Sequence, residues 1–134
     1  MPKYMLDTNM CIYLMKNQPA SVAARFAECY FGDVVISAVT LAELQYGVAC
    51  SVNKEQDQRS LALLLEDVPA IPFDIPAAAM YGMIRYANKD KKSDALDKLI
   101  AAHAVALKVV LVTNNERDFK SYPGLVLDNW IEAH

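Results

Sequence analysis

The sequence predicts an α/β fold, with a mostly parallel central sheet of four to five strands flanked by helices. Short apolar runs rich in Val and Ile, typical of strands buried on both faces, alternate along the 134 residues with longer segments of helical periodicity. Strands that are separated by helices pair in parallel, because each helix returns the chain to the same end of the sheet. The chain contains no linker, low-complexity run or internal repeat, so we expect one domain spanning residues 1–134.

Five apolar runs are predicted to be strands. In chain order they cover residues 3–6, 34–36, 71–73, 109–112 and 125–127. The third contains Pro72, which has no amide to donate to a neighbour, so this strand is expected at an edge of the sheet. The fourth, Val109-Val110-Leu111-Val112, has the clearest strand pattern.

The segments between these runs are predicted to be helices. They include a short early helix around residues 10–15 and longer ones over 21–31, 39–49 and 56–67. Pro76 opens the next helix at a position where proline is tolerated, and Ser93 is the predicted N-cap of a helix that ends near Leu107. The resulting order is β-α-α-β-α-α-β-α-α-β-α-β.

Composition and charge exclude several classes of protein. The chain carries 13 Lys and Arg against 16 Asp and Glu, a net charge of −3, which argues against an indiscriminate binder of nucleic acid. The three cysteines show neither a disulfide framework nor zinc-site spacing, and no phosphate-binding or dinucleotide-binding glycine motif is present. No apolar stretch is long enough to cross a bilayer, so we expect no membrane association and a location in the reducing cytoplasm.

Four carboxylates occupy unusual positions. Asp7 follows a buried strand, and Glu43 lies about a turn and a half into the helix after the second strand. Asp97 shares a helical face with apolar residues three, four and seven positions further on, and Asp118 lies just past the fourth strand. Each alone is compatible with a helix cap or a solvated surface carboxylate. Together they favour one site at the carboxyl ends of the strands, where ligands bind in such sheets.

Clustered carboxylates without histidine or cysteine partners suit hard cations, meaning Mg²⁺ or Mn²⁺. Zinc is disfavoured, because the only histidines are His103, expected to be a packed helix residue, and the terminal His134. A carboxylate-bound Mg²⁺ typically serves phosphate chemistry.

Four segments, in this order, resemble the motifs of PIN-domain ribonucleases. They are Met5-Leu6-Asp7-Thr8-Asn9, residues 36–44 with Glu43, residues 97–104 led by Asp97, and residues 111–119 with Asp118. Their order and spacing, and the length of the chain, are similar to those of the VapC toxins of bacterial type II toxin–antitoxin pairs. The likeness covers essentially the whole chain.

The resemblance implies a Mg²⁺- or Mn²⁺-dependent endoribonuclease. Asp7 and Asp97 would be the principal metal ligands, and Glu43 and Asp118 would complete the acidic site directly or through water. The resemblance further assigns the orientation of carboxylates or water to Thr8, Thr113 and Asn115. Some relatives carry Asp where Asn115 stands, so either Asn115 or Asp118 is the fourth site residue. Residues 88–94 depart from the Gly-Arg-Pro-x-Gly-like loop that many relatives have here.

The resemblance also implies partners. The first is an RNA substrate, which in the nearest subgroup is initiator tRNA cut in its anticodon stem-loop. The second is a cognate VapB-like antitoxin whose C-terminal segment covers the site. The third is a second copy of the chain. Apolar residues of the early helix, such as Met10 and Met15, serve either the dimer interface or the core.

Basic residues flank the third and fourth motifs and are candidate phosphate contacts. They are Lys89, Lys91, Lys92, Lys98, Arg117 and Lys120. A solvated loop explains the lysine run equally well. Without the four site carboxylates, the formal charge of the chain would be +1 instead of −3. Three other interpretations are compatible with parts of this pattern: a receiver-like signalling module, a Mg²⁺-dependent phosphatase, and a catalytically inactive PIN-like domain that only binds RNA or partners.

Overall fold

The computed structural model describes residues 1–90 and 95–131 and contains a five-stranded sheet. The strands are β1 (Tyr4–Leu6), β2 (Val34–Ser37), β3 (Ala70–Ile71), β4 (Val110–Val112) and β5 (Leu127–Asp128). They lie in the order β3-β2-β1-β4-β5, and every neighbouring pair is parallel. The predicted α/β architecture is confirmed, and β3 is at an edge as Pro72 indicated.

Helices connect all the strands in the predicted order. They are α1 (Thr8–Lys16), α2 (Ala20–Ala27), α3 (Ala38–Cys50), α4 (Lys54–Asp67), α5 (Ile75–Ala87), α6 (Ala95–Leu107) and α7 (Glu116–Phe119). The longest of these helices, α4, has 14 residues, and no helix in residues 1–90 and 95–131 is long and apolar enough to cross a membrane. The predicted N-cap, Ser93, lies outside the described residues.

Most element boundaries agree with the predicted ones to within one or two residues, and three of those that differ have a clear physical cause. Helix α2 ends at Ala27 instead of residue 31, because the chain turns before β2 through Gly32, whose φ of 94° lies in the left-handed region. Strand β3 ends at Ile71, since Pro72 has no amide to extend the ladder. Strand β5 starts at Leu127 because the parallel register pairs this residue with Leu111 of β4.

The sheet separates two apolar clusters. Consecutive strand residues point to opposite faces, and accordingly Leu6 and Val112 belong to one cluster while Met5 and Leu111 belong to the other. The first cluster is covered by α1, α2 and α4, and the second by α5 and α6. A sheet buried on both faces explains why its strands are continuous apolar runs without alternation.

The chain reverses direction across the sheet between β1 and β4. From β1 it proceeds through β2 to β3 at one edge, and it then returns to β4 on the other side of β1. Helices after β1 and β4 therefore diverge and leave a crevice at the carboxyl ends of these strands, where ligands bind in open α/β sheets. Asp7 and Thr113 are the first residues after the two strands.

Candidate active site

Asp7 combines a structural role with a position in the crevice. Its side chain is 6% exposed, and its Oδ1 accepts a hydrogen bond of 2.9 Å from the amide of Met10 as the N-cap of α1. The helix-cap interpretation of this carboxylate is therefore correct, but it uses only one of the two oxygens. Asp7 also lines the cleft described below, so capping holds the carboxylate in place at the cleft.

The electrostatic environment of Asp7 disfavours its charge. Burial raises the pKa of this carboxyl, and the negative charge of Glu43 raises it further. Hydrogen bonds from the Thr113 hydroxyl and from the amides of Met10 and Asn9 act in the opposite direction without cancelling the effect of burial. An ionised Asp7 is thus an incompletely compensated buried charge, which a bound cation would stabilise.

Glu43 reaches the same cleft from α3. The hydroxyl of Thr8, the first residue of α1, donates a hydrogen bond of 2.7 Å to Oε1 of Glu43. This contact connects the start of α1 to a residue 35 positions along the chain and restricts the rotamer of the carboxylate.

The third and fourth motifs complete the cleft. Asp97 lies in the first turn of α6, half-buried, on a helix whose neighbouring residues from Ile100 to Ala104 are buried. The hydroxyl of the buried Thr113 accepts a hydrogen bond of 2.9 Å from the amide of Asn115. The side-chain amide of Asn115 in turn donates one of 2.6 Å to Oδ2 of Asp118. Asn115 and Asp118 are therefore hydrogen-bonded to each other, and both remain candidates for the fourth position of the site.

The four predicted carboxylates share one cleft of about 430 Å³. Its lining residues are Asp7, Thr8, Asn9, Glu43, Asp97, Ile100, Asn115, Asp118 and Phe119. Thr113 supports the cleft through Asp7 and Asn115. Asn9, Ile100 and Phe119 line the cleft although no sequence pattern predicted them as site residues. Asn9 follows the Asp7-Thr8 pair directly, and the other two lie three residues and one residue after motif acids, so adjacency was the available signal.

The donor set fits a hard cation that keeps part of its water shell. Within residues 1–90 and 95–131, no three acidic, histidine or cysteine side chains converge closely enough to enclose a metal ion unaided. Mg²⁺ characteristically binds through one or two carboxylates, several waters and substrate phosphates instead of an all-protein cage. The cleft offers carboxylate oxygens from four elements, which matches that requirement. One of these carboxylates, Asp7, is buried, and its negative charge is not fully compensated by its hydrogen bonds.

The candidate RNA contacts fall into three groups. The first group is exposed and consists of Lys89, Arg117 and Lys120. A hydrogen bond of 3.2 Å from the Ser121 hydroxyl to Asn88 Oδ1 joins the segment after α7 to the end of α5, and so brings the chain neighbours of Lys120 and Lys89 together. The side chain of Lys98 is only 7% exposed, which does not fit a surface phosphate contact, so Lys98 is excluded from the candidates. Lys91 and Lys92 lie outside the described residues.

Replacing Thr8 tests the contact with Glu43. Thr8→Val keeps the shape of the side chain but removes the hydroxyl that bonds Oε1, so we expect kcat for the ribonuclease activity that the motif resemblance predicts to fall about tenfold. Thr8→Ser retains the hydroxyl and is expected to stay close to wild type. Equal rates for the Val and Ser variants, measured on one RNA under saturating Mg²⁺, would show that the hydrogen bond has no functional role.

Comparisons with known proteins identify the family of the chain. A model of the PIN domain matches residues 4–125, so the fold is that of a PIN domain. Ribonuclease VapC2 of Rickettsia felis is 40% identical over 131 residues, covering 95% of this chain and 97% of that protein. The tRNA(fMet)-specific endonuclease VapC of Shigella flexneri is 38% identical over 132 residues, covering 97% and 99%.

A solved structure shows the same fold in a close relative. The crystal structure of DNA-bound VapBC from Salmonella typhimurium superposes with a TM-score of 0.90 at 36% identity, covering 97% of this chain and 99% of that one. The chain belongs to the VapC family of PIN-domain proteins. This membership confirms the resemblance of the four motifs and sets aside the receiver-like and phosphatase interpretations.

Proposed function

We propose that this protein is a divalent-metal-dependent endoribonuclease and the toxin of a type II toxin–antitoxin pair, acting in the cytoplasm. The observation that carries the proposal is the meeting of Asp7, Glu43, Asp97 and Asp118 in one cleft at the reversal point of the sheet. Relatives that match over nearly their whole length are named ribonucleases, which supports the same chemistry here.

Mg²⁺ is the proposed cofactor, and Mn²⁺ is expected to replace it because both ions prefer carboxylate and water ligands. Asp7 and Asp97 are proposed to hold the ion, with Glu43 and Asp118 binding it directly or through water. When bound, such an ion activates water as a nucleophile and neutralises charge developing on the phosphate. Thr8 orients Glu43, and Asn115 orients Asp118, through the hydrogen bonds of 2.7 and 2.6 Å.

We propose structured RNA as the substrate, with initiator tRNA as the first candidate, because the relative from Shigella flexneri is named for it. The test is to incubate the purified protein with initiator and elongator tRNAs in Mg²⁺, and to map the ends that form. EDTA should abolish cleavage, Mg²⁺ or Mn²⁺ should restore it, and Asp97→Asn should remove it. Cleavage that persists in EDTA or in the Asp97→Asn variant contradicts the proposal, and a folded protein that binds RNA without cutting it indicates an inactive PIN-like domain.

Exposed lysines near the cleft are proposed to contact phosphates. We expect Lys89→Gln and Lys120→Gln each to weaken tRNA binding and to reduce the slope of log K against log salt concentration by about 1. Lys54→Gln is the matched control, because Lys54 is also exposed but lies at the start of α4. Unchanged salt slopes in both test variants would refute the proposed phosphate contacts of Lys89 and Lys120.

An apolar groove continues from the acidic cleft, and we propose it as the binding site of a VapB-like antitoxin. The groove encloses about 480 Å³ between α1, α3 and α4, with Ile12, Met15 and Val48 among its lining residues, and it shares Thr8 and Glu43 with the cleft. This continuity suits a segment with apolar side chains that ends in a basic residue facing the carboxylates.

Gly47 lines this groove and allows a clean test. A Cβ added there meets no atom within 4 Å, and the exposed helical position accepts a side chain. We expect Gly47→Gln to weaken antitoxin binding at least about tenfold by filling the groove, with tRNA cleavage retained. The matched control is Gly82→Gln on α5, which is equally open and lies outside the groove. Equal antitoxin affinity in both variants, measured by calorimetry, would place the antitoxin elsewhere.

We also propose that the chain forms a homodimer. The early helix is not the proposed interface, because Met10 is buried and Met15 lines the groove assigned to the antitoxin. Large apolar side chains are exposed instead along α5, where Ile75, Met83 and Tyr86 are 85%, 65% and 72% exposed. Sedimentation equilibrium should show a dimer that Gly82→Gln weakens and Gly47→Gln does not, and a wild-type monomer would refute this assignment.

A further inference from the structure

A buried hydrogen bond joins the two helices that carry Glu43 and Asp97. The Nδ1 atom of His103, on α6, lies 2.8 Å from the hydroxyl oxygen of Ser37, which immediately precedes α3. His103 is 1% exposed and Ser37 is 0% exposed, so water does not compete for this contact. Neither residue lines the acidic cleft, and nothing in the site described above uses them.

Ser37 couples this bond to the start of α3. Its hydroxyl oxygen also accepts a hydrogen bond of 3.1 Å from the amide of Val39 and so caps the helix. Glu43 lies in the second turn of that helix, and Asp97 lies six residues before His103 on α6. One polar contact therefore relates the two helices on which two of the site carboxylates stand.

The imidazole that makes this contact also destabilises the fold, because its second nitrogen is buried without a partner among the described residues. Among residues 1–90 and 95–131, His103 Nε2 and Thr40 Oγ1 are buried with no hydrogen-bond partner, and an unpaired buried polar atom destabilises a fold. An apolar side chain would pack against Phe73, whose ring centroid lies 5.4 Å from that of His103, without this penalty. Burial lowers the pKa of His103 against a smaller opposing effect of Asp74, so the imidazole is neutral at pH 7 and adds no charge near the acids.

We propose that His103 is a positioning residue for the nuclease site: its bond to Ser37 fixes α3 relative to α6 and so sets the separation of Glu43 and Asp97. The inference depends on the proposed function for its catalytic consequence. Its structural part, that the bond restrains the start of α3, stands independently and can be measured without RNA.

Substitutions at position 103 separate positioning from packing. We expect His103→Leu to fill the space without the bond, to lower kcat about tenfold at unchanged KM for tRNA, and to raise the half-saturating Mg²⁺ concentration. His103→Asn places a polar atom at the position of Nδ1 and should recover most of the loss. In combination with Ser37→Ala, which removes the same bond, His103→Leu should cause little further loss of kcat.

Two controls address stability. Thr40→Val removes a buried hydroxyl of α3 that makes no hydrogen bond among the described residues, so wild-type activity is expected. Val22→Ala destabilises α2, which contributes no residue to the cleft, and shows the effect of a lower melting temperature alone. Amide exchange of residues 38–41 should accelerate in His103→Leu and remain slow in Thr40→Val.

The outcomes are distinguishable. Wild-type exchange, kcat and Mg²⁺ dependence in His103→Leu would overturn the inference while leaving the nuclease proposal intact. A loss of kcat equal to that of Val22→Ala at matched stability, or no recovery in His103→Asn, would also overturn it by assigning His103 to packing. If wild-type protein cuts no RNA, the nuclease proposal fails, and the exchange measurement alone decides whether the bond restrains α3.

Discussion

Asp7→Asn is expected to lower RNA cleavage at least about a thousandfold and, at the same time, to raise the melting temperature of the metal-free protein at pH 7. The loss of activity follows from removing a negatively charged ligand. The gain in stability follows from removing a charge that burial and the neighbouring Glu43 disfavour. A residue whose replacement stabilises the fold and inactivates the protein is typical of a functional site.

The sign of the pH effect follows from the raised pKa. The folded protein binds the Asp7 proton more tightly than the unfolded chain does, so the stability linked to this group is fully present at low pH. It is lost as the pH rises from the ordinary pKa of 3.8 through the higher value of the folded state. Metal-free wild type should therefore lose stability relative to Asp7→Asn across this window, and the two stability curves should converge in acid.

Asn is the informative substitution because it keeps the helix cap. The side-chain oxygen of Asn can accept the hydrogen bond from the Met10 amide at the N-cap, as that of Asp does. Asp7→Ala instead loses this hydrogen bond of 2.9 Å and about 1 kcal/mol of stability. Urea denaturation of both variants at pH 5 and pH 7, without metal, checks the prediction. If Asp7→Asn is less stable than wild type at pH 7, the folded state does not disfavour this charge, and if the variant retains cleavage, the carboxylate is not needed for activity.

Divalent metal should stabilise the wild-type protein and do so more strongly at pH 7 than at pH 5. Mg²⁺ that binds only the folded state adds about 2.7 kcal/mol to the free energy of unfolding at a hundredfold excess over Kd. At lower pH the proton on Asp7 competes with the metal, because the pKa of this carboxyl is raised. The increment in melting temperature should therefore shrink as the pH falls.

Variants of the cleft provide the controls for this metal effect. Asp7→Asn and Asp97→Asn should each lose most of the Mg²⁺-dependent rise, whereas Lys54→Gln, an exposed position outside the cleft, should keep it. Calorimetric titration with Mn²⁺ tests the same site without RNA. The proposed metal centre would be excluded if the melting temperature at pH 7 does not change with Mg²⁺ or Mn²⁺ and cleavage continues in EDTA.

Periodicity was sufficient to predict most of the fold. Continuous apolar runs such as Val109-Val110-Leu111-Val112 indicated strands buried on both faces, and the helices between them required parallel pairing. The order of all twelve elements was correct. Boundaries were missed where a local rule dominates, as at Pro72, or where a partner strand sets the register, as at Leu127 against Leu111. Register depends on contacts between distant segments, which no local pattern contains.

The residues of the candidate site could also be predicted from the sequence, but their burial and hydrogen bonds could not. The four acids could be selected because a carboxylate after a buried strand or on an apolar helix face is costly without a partner. The hydrogen bonds from Thr8 to Glu43 and from Asn115 to Asp118 join side chains whose proximity the tertiary structure creates. The burial of Lys98, which removed a candidate RNA contact, likewise depends on how α6 packs.

The sequence by itself therefore determined the α/β class, the strand order along the chain and the residue types of an acidic site, because these follow from local periodicity and the cost of misplaced charge. Only the tertiary structure decided that Asp7 is buried and carries a raised pKa, that Asn115 and Asp118 form a pair, and that His103 bonds Ser37 across 66 residues. The physical reason is that burial and hydrogen bonding between distant segments are properties of the packed chain, which no local pattern of residues contains.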